Sequence, residues 1–433
     1  MIFKNKVFQI IKHLMIYPHY KMNVFSGTNS YSEMLDVIKC LFSSTCVNGS
    51  DIGIYHHLLQ KMLGSPSYSF ASGRMGFYSI LKTIGIQEKD EIIIPSYTCI
   101  VVPNAILYCS AKPVYCDILM SDFNIDTDHL ESLITSRTKA IYAQHTFGQM
   151  CDIDKIMEIA AKHNLIVIED AALALGARKD GKWAGTIGDF GYYSTDRSKV
   201  INTGLGGIVT VNNSNYNKKF SDYYDSIPYL DEKMTKKIAQ TFIINVITLH
   251  PSLYWIGKFI NMVLTKFGVM TYFSDEQCVR KESIYAYPYP AKLSNIFAKI
   301  GIWQIQNIKH NISHRKQVAH YYNDILQIYP SEYIENEKNI FLRYSFLIRN
   351  RDYWENRFSS KIDLSIWFKS IASGRIDNFE KIGYSLGSNT ISEYACLHIF
   401  NLPTHQQIKS EKLKKLLLEL KKSGDIISKE NIL

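Results

Sequence analysis

The residues of this 433-residue chain whose types and spacing could do chemistry gather around one lysine. In "GDFGYYSTDRSKVINTGLGGIVTV", Lys199 lies five residues after Ser194 and just before Gly204, Gly206 and Gly207. A lysine on a solvated face needs no such flanks. A lysine whose amine must meet a phosphorylated aldehyde does, because desolvation lets it lose its proton and act as a nucleophile. Ser194 can donate a hydroxyl hydrogen bond to a phosphate. Upstream, Asp170 ends the apolar run "LIVIED"; in open α/β sheets ligands gather at the carboxyl ends of strands, where an acid can hold a protonated heteroaromatic nitrogen. Gly73, in "SFASGRMGFYSIL", opens a predicted helix whose bare N–H groups suit a phosphate. The glycines after Lys199 are read as allowing a tight turn and close approach to a ligand. A phosphate cradle, an acid for a ring nitrogen and an amine together are what pyridoxal 5′-phosphate requires.

Other chemistries lack their signatures. The chain has no GxGxxG or P-loop, no HExxH and no GxSxG. Its eight cysteines are scattered without zinc spacing, so no metal site is expected and a reducing, cytoplasmic setting is. His56–His57 fits a surface or half-buried helix, and His145 either lines a cleft or is a structural histidine. The net charge of +9 comes from dispersed Lys and Arg, which makes no nucleic-acid surface.

The elements that must position these residues follow from periodicity. "GFYSILKTIGI" is expected to be a helix, "DEIIIPS" a strand, "PNAILYCSA" a helix and "KPVYCDI" a strand. "DIDKIMEIAAKHN" is a helix with Asp152 as N-cap and Asn164 as C-cap, leading into "LIVIED", a strand buried on both faces. The expected fold class is α/β, a mixed or parallel sheet covered by helices. Residues 213–285 break the rhythm with an apolar stretch interrupted by His250–Pro251, Lys258 and Lys266, too broken to span a bilayer. Each half can form a helix of a hairpin that packs on the body, on a second subunit or on a membrane surface. The N-terminal "MIFKNKVFQIIKHLMIY" has helical apolar spacing with interspersed lysines, fitting either a packed arm or membrane-surface contact. Leu413, Leu416, Leu417 and Leu420 define one face of a last helix closed by Gly424.

The order and spacing of many of these pieces resemble the sugar aminotransferases of the DegT/StrS type. The resemblance covers, among others, "SGRMGFYSILKTIGIQEKDEIIIPSYTC", "HNLIVIEDAALALGA", "GTIGDFGYYSTDRSKVINTGLGGIVTVN" and "KLSNIFAKIGIWQI". It implies fold type I of the pyridoxal-phosphate transferases: an arm over 1–47, a large cofactor domain over 48–285 with the 213–285 insertion, and a small domain over 286–433. By motif, Lys199 matches the lysine that condenses with the cofactor aldehyde, Asp170 the pyridinium partner and Ser194 a phosphate ligand. Gly73 and Arg74 match the phosphate-binding turn. Cys99 stands where the family often stacks an aromatic ring, with Tyr97 two residues earlier. Leu173 replaces the Gln or His that reaches the cofactor's phenolic oxygen, and Pro290-Ala291-Lys292 replaces Asn-Tyr-Arg from the partner subunit.

The resemblance implies transfer of an amino group from an amino acid, glutamate by family habit, to a keto-sugar, nucleotide-linked, for cell-surface polysaccharide or a related glycan. A homodimer is implied, with peripheral contact at the inner face of the membrane through 1–20 or 237–270 a further expectation. Two alternatives stand beside it: a pyridoxal-phosphate sugar dehydratase, in which the lysine is typically replaced, and a non-catalytic sensor or scaffold.

Overall fold

The computed structural model describes residues 20–23, 27–271, 289–374 and 378–427. The N-terminal segment 1–19 expected to be helical lies outside them.

Nearly continuous apolar runs build the centre of a seven-stranded sheet. Its strands are β1 (Ser67–Phe70), β2 (Glu91–Pro95), β3 (Lys112–Cys116), β4 (Thr138–Gln144), β5 (Ile166–Asp170), β8 (Phe190–Ser194) and β9 (Gly207–Val211). The small hairpin β6–β7 (Arg178–Lys179, Lys182–Trp183) lies between β5 and β8 in the chain. The sheet order is β1-β9-β8-β5-β4-β2-β3. β3, β2, β4, β5 and β8 run parallel, and β9 alone is antiparallel to both of its neighbours. All five residues of β2 are buried, as expected of a strand covered on both faces.

The register decides what the sheet presents at its carboxyl edge. Gln144 pairs with Asp170, and Asp170 with Tyr192, so β4 and β5 end level with one another and β8 runs two residues further, to Ser194.

The helices that matter here are α1 (Tyr31–Leu41), α2 (Asp51–Leu63), α3 (Gly73–Ile84), α4 (Val101–Tyr108), α5 (Ile153–His163), α6 (Asn217–Ser226), α7 (Glu232–Thr248), α8 (Tyr254–Lys266), α9 (Asn295–Gln306), α10 (Ile308–Leu326) and α11 (Lys414–Ser423). Asp152 caps α5 by accepting the Lys155 N–H, and Asn164 closes it at φ +52°. Ser72 caps α3 in the same way through the Met75 N–H. α3 lies over β8 and β9, and α9 packs on α1 and α2. β10 (Arg343–Leu347) and β11 (Ile399–Pro403) pair antiparallel, and α11 packs on α10 through the buried Leu416, Leu417 and Leu420.

The 213–285 region divides. Phe220 and Tyr224 of α6 pack into the core against Tyr68 and Phe70. α7 and α8 form a hairpin, with Ile238, Ala239 and Phe242 buried and much of α8 exposed.

Candidate active site

A cavity of about 410 Å³ opens at the carboxyl edge of β4, β5 and β8. Lys199, Asp170, Ser194, Gly73, Arg74, Cys99 and Leu173 all line it. They arrive on different elements: Asp170 from the end of β5, Ser194 from the end of β8, Gly73 and Arg74 from the first turn of α3, and Lys199 from the loop before β9.

Asp170 is held firmly. Tyr142 O–H donates to its Oδ2 at 2.6 Å, and the Ala172 N–H donates to Oδ1 at 2.8 Å. The Tyr142 hydroxyl also pairs with that of Tyr192. Burial, reinforced by the negative Asp170, pushes both phenols well above their ordinary range, so they remain protonated donors. The Asp170 carboxylate is thus fixed in place and only 5% exposed.

Lys199 makes no hydrogen bond or ion pair through its amine among the described residues. Its Nζ lies 5.0 Å from the centroid of the Trp367 ring. Burial lowers its pKa and nearby Arg343 lowers it further, against the opposing pull of negative charge at Asp170 and Asp196. The amine is therefore readier to be neutral than a surface lysine.

The opposite end of the cavity favours an anion. The N-terminus of α3 opens there at Gly73 beside the Ser194 side chain; a Cβ on Gly73 would stand 3.2 Å from Ser194 Cβ. Asp196 feels burial pushing its carboxyl up, but Arg197, Arg74 and Lys199 outweigh this and hold it below its ordinary value. An amine, a fixed carboxylate and a helix N-terminus with a serine and two arginines fit pyridoxal 5′-phosphate in kind and in space. Among the described residues no cluster of three His, Cys, Asp or Glu could hold a metal ion.

The structure corrects one sequence reading, the glycines after Lys199, and decides two points left open, Tyr97 and His145. Tyr97 does not reach the cavity: it is fully buried, packs on Phe123, Phe147 and Phe368, and its hydroxyl accepts the Phe368 N–H. Gly204, Gly206 and Gly207 do not line it either. Gly207 lets β9 pass against α3, since a Cβ there would fall 2.3 Å from Gly73 N, and Gly204, at φ +83°, turns the chain beneath Phe242. His145 is structural, fully buried with Nε2 2.9 Å from Glu169 Oε2 while Nδ1 accepts the Cys151 N–H. Lys292, in the position of the partner-subunit motif, lies over Tyr224 and Tyr229 and donates to the Asp225 carbonyl.

Sequence reasoning missed the aromatic and cationic wall. Trp367 lines the cavity with both Lys199 and Arg343 close to its ring, the Arg343 guanidinium 4.0 Å from the centroid. Arg343 is buried, and burial lowers its pKa to about 9. Its Nη1 donates to the carbonyls of Leu364 and Ser365 and to Asn401 Oδ1, each at 2.9 Å. No local pattern marks Trp367, because it comes from a segment nearly 170 residues after Lys199.

Comparison with known proteins agrees with this architecture. The family model described as the DegT/DnrJ/EryC1/StrS aminotransferase family matches residues 29–421. GDP-perosamine synthase of Caulobacter vibrioides is 47% identical over 141 residues, 33% of this chain and 38% of that protein. The match thus spans well under half of that relative's length. A putative sugar aminotransferase, Spr1654 from Streptococcus pneumoniae in its PLP form, superposes with a TM-score of 0.68 at 18% identity, covering 92% of this chain and 98% of that one. The E. coli GDP-4-keto-6-deoxy-D-mannose-3-dehydratase superposes with a TM-score of 0.69 at 19% identity, covering 93% and 99%. These structural likenesses show a shared fold, that of the fold type I pyridoxal-phosphate enzymes. With the match running from residue 29 to residue 421, this chain belongs to the DegT/DnrJ/EryC1/StrS aminotransferase family.

Proposed function

We propose that this protein is a pyridoxal-phosphate-dependent sugar aminotransferase that moves an amino group from an amino acid, glutamate by family habit, to a nucleotide-linked keto-sugar. The observation that carries this reading is the convergence of the Lys199 amine and the Asp170 carboxylate on one cavity that ends in an anion cradle. Similarity to a GDP-perosamine synthase supports a nucleotide-linked acceptor.

Ser194, the α3 N-terminus at Gly73 and the Arg74 side chain would hold the cofactor phosphate, and Asp170 would hold the proton on its ring nitrogen. Bound there, the cofactor supplies an aldehyde to carry the amino group and a ring that stabilises negative charge at the donor's α-carbon. Lys199 Nζ, made readier to give up its proton by burial, would take up the proton that leaves that α-carbon and hand it on within the same bound pair. Tyr142 and the Ala172 N–H keep the Asp170 carboxylate aimed throughout. Trp367 and Leu173 exclude water beside the amine. Transfer to the keto-sugar runs the same proton movements in reverse.

The purified protein is expected to be yellow, to lose its visible band when glutamate is added, and to be fixed covalently at Lys199 by borohydride. Lys199→Ala protein that still turned over would remove the proposal. Product mass separates amino transfer from dehydration, since one replaces a carbonyl by an amine and the other removes a hydroxyl.

The reading extends to a cytoplasmic homodimer acting in the synthesis of a cell-surface glycan. The exposed Tyr31, Leu35 and Phe42 on and after α1, with Trp303 on the adjoining α9, form an apolar patch that supports self-association. It also extends to peripheral contact with the inner face of a membrane through 237–270, the stretch richest in exposed large apolar side chains among the described residues.

A further inference from the structure

Within the α7–α8 hairpin, α7 buries Ile238, Ala239 and Phe242, whereas α8 is built with its polarity reversed. On a helix that packs against a protein body, apolar side chains face inward. Here the seam between α7 and α8 is polar and small. Asn261 Oδ1 accepts the Thr248 hydroxyl at 2.7 Å, and Asn261 Nδ2 donates to Asn245 Oδ1 at 3.2 Å. Gly257 lies so close to α7 that a Cβ would fall on the Thr248 carbonyl oxygen. The outward side carries Leu253, Ile256, Phe259, Ile260 and Phe267, all exposed, the last 76%. The spacing of 253, 256, 260 and 267 keeps them on one stripe. Ile247 near the end of α7 is exposed as well.

Charge selects the occupant. From residue 233 to residue 271 the chain has five lysines, at 233, 236, 237, 258 and 266, and no acid. Lys21, itself buried, ties the chain to the hairpin: its N–H donates to the Pro251 carbonyl between the two helices, and its ammonium lies over Tyr254 and Trp255. The sequence leading to it, residues 1–20, has Lys4, Lys6 and Lys12 and likewise no acid. In a two-fold contact between copies a patch meets itself, so a surplus of lysines would face its own copy; the one carboxylate on the hairpin, Glu232 at the start of α7, is already taken by Lys236 at 2.6 Å. An anionic lipid surface supplies the missing charge and takes up the apolar stripe at once. The geometry suits lying on a bilayer rather than crossing it. α8 has 13 residues, about 20 Å of helix, and no helix among the described residues is long and apolar enough to cross a membrane.

We infer that the α7–α8 hairpin is a docking element that lays the outer face of α8 into the headgroup region of an anionic membrane. This deepens the peripheral-membrane reading of 237–270 on which it rests, and it is independent of the amino-transfer chemistry.

Flotation of the full chain with phosphatidylcholine vesicles, with and without phosphatidylglycerol, tests it. The protein should float with the anionic vesicles, less so with neutral ones, and release as salt rises. Phe259→Ser with Ile260→Ser should weaken partition about tenfold or more while leaving the cofactor spectrum and the oligomeric mass unchanged. Lys4→Gln, Lys6→Gln and Lys12→Gln together should leave the protein bound. Hydrogen exchange of the wild-type chain should slow across 253–267 when anionic vesicles are added. Absence of flotation would overturn both the docking element and membrane contact itself. Flotation unaffected by the α8 substitutions, or abolished by the N-terminal ones, would overturn the hairpin's role alone. A fall to half the native mass on substitution of Phe259 and Ile260, with flotation intact, would give the face to a second subunit instead.

Discussion

Burial lowers the pKa of Lys199, and the sign of that shift reaches beyond catalysis. A lysine with a lower pKa in the fold than in the unfolded chain destabilises the fold while the unfolded amine is charged, and the penalty fades as pH rises toward its ordinary value of 10.5. Cofactor-free Lys199→Met should therefore be more stable than cofactor-free wild type by about 1 kcal/mol at neutral pH. The difference should shrink toward pH 10, as urea denaturation at the two pH values would show. Asp170→Asn keeps the shape and, with Tyr142 still beside it, should retain cofactor absorbance while losing roughly a hundredfold or more in kcat; unchanged kcat would count against its role. At this scale the sequence was partly legible. Ser194, Asp170 and Gly73 stand out because each sits at a strand end or helix start that its own neighbours announce, and Lys199 because of the serine and glycines that flank it in the loop. Tyr142 and Tyr192 do not, because they meet Asp170 only through the register of three strands.

At the scale of elements, capping and periodicity carried the helices and the buried strands, as Asp152, Asn164 and Gly424 illustrate. The direction of β9 was not legible, since a strand's own residues do not say which neighbour it pairs with. That direction explains the glycines after Lys199: β9 turns back across the start of α3, and Gly207 lets the two backbones touch. Gly207→Ala would drive its Cβ into Gly73 N. It should cost about 1–3 kcal/mol of stability and weaken cofactor phosphate binding together, checked by thermal melting and by cofactor titration. A loss of stability with unaltered phosphate affinity would show that α3 does not serve as the anion cradle.

At the scale of the molecule, light scattering should return twice the mass of one chain, and Phe42→Ser, at a residue 89% exposed, should shift it toward the single-chain value. The outward face of α8 was beyond the sequence: apolar periodicity there is equally compatible with burial, and only the polar seam of Asn245, Thr248 and Asn261 shows which way the helix is turned. One contact made by the same hairpin has a reach of its own. Phe242 of α7 lies over Gly204, on the short turn that joins Lys199 to β9, while Ile238 and Thr241 line the same crevice as Asp196 and Arg197. The hairpin is thus keyed into a wall that Asp196 and Arg197 share with the candidate site. Cutting out the α7–α8 hairpin would strip Phe242 from Gly204 and open the crevice beside Asp196 and Arg197 to water, so the hairpin cannot be excised without disturbing the wall of the candidate site.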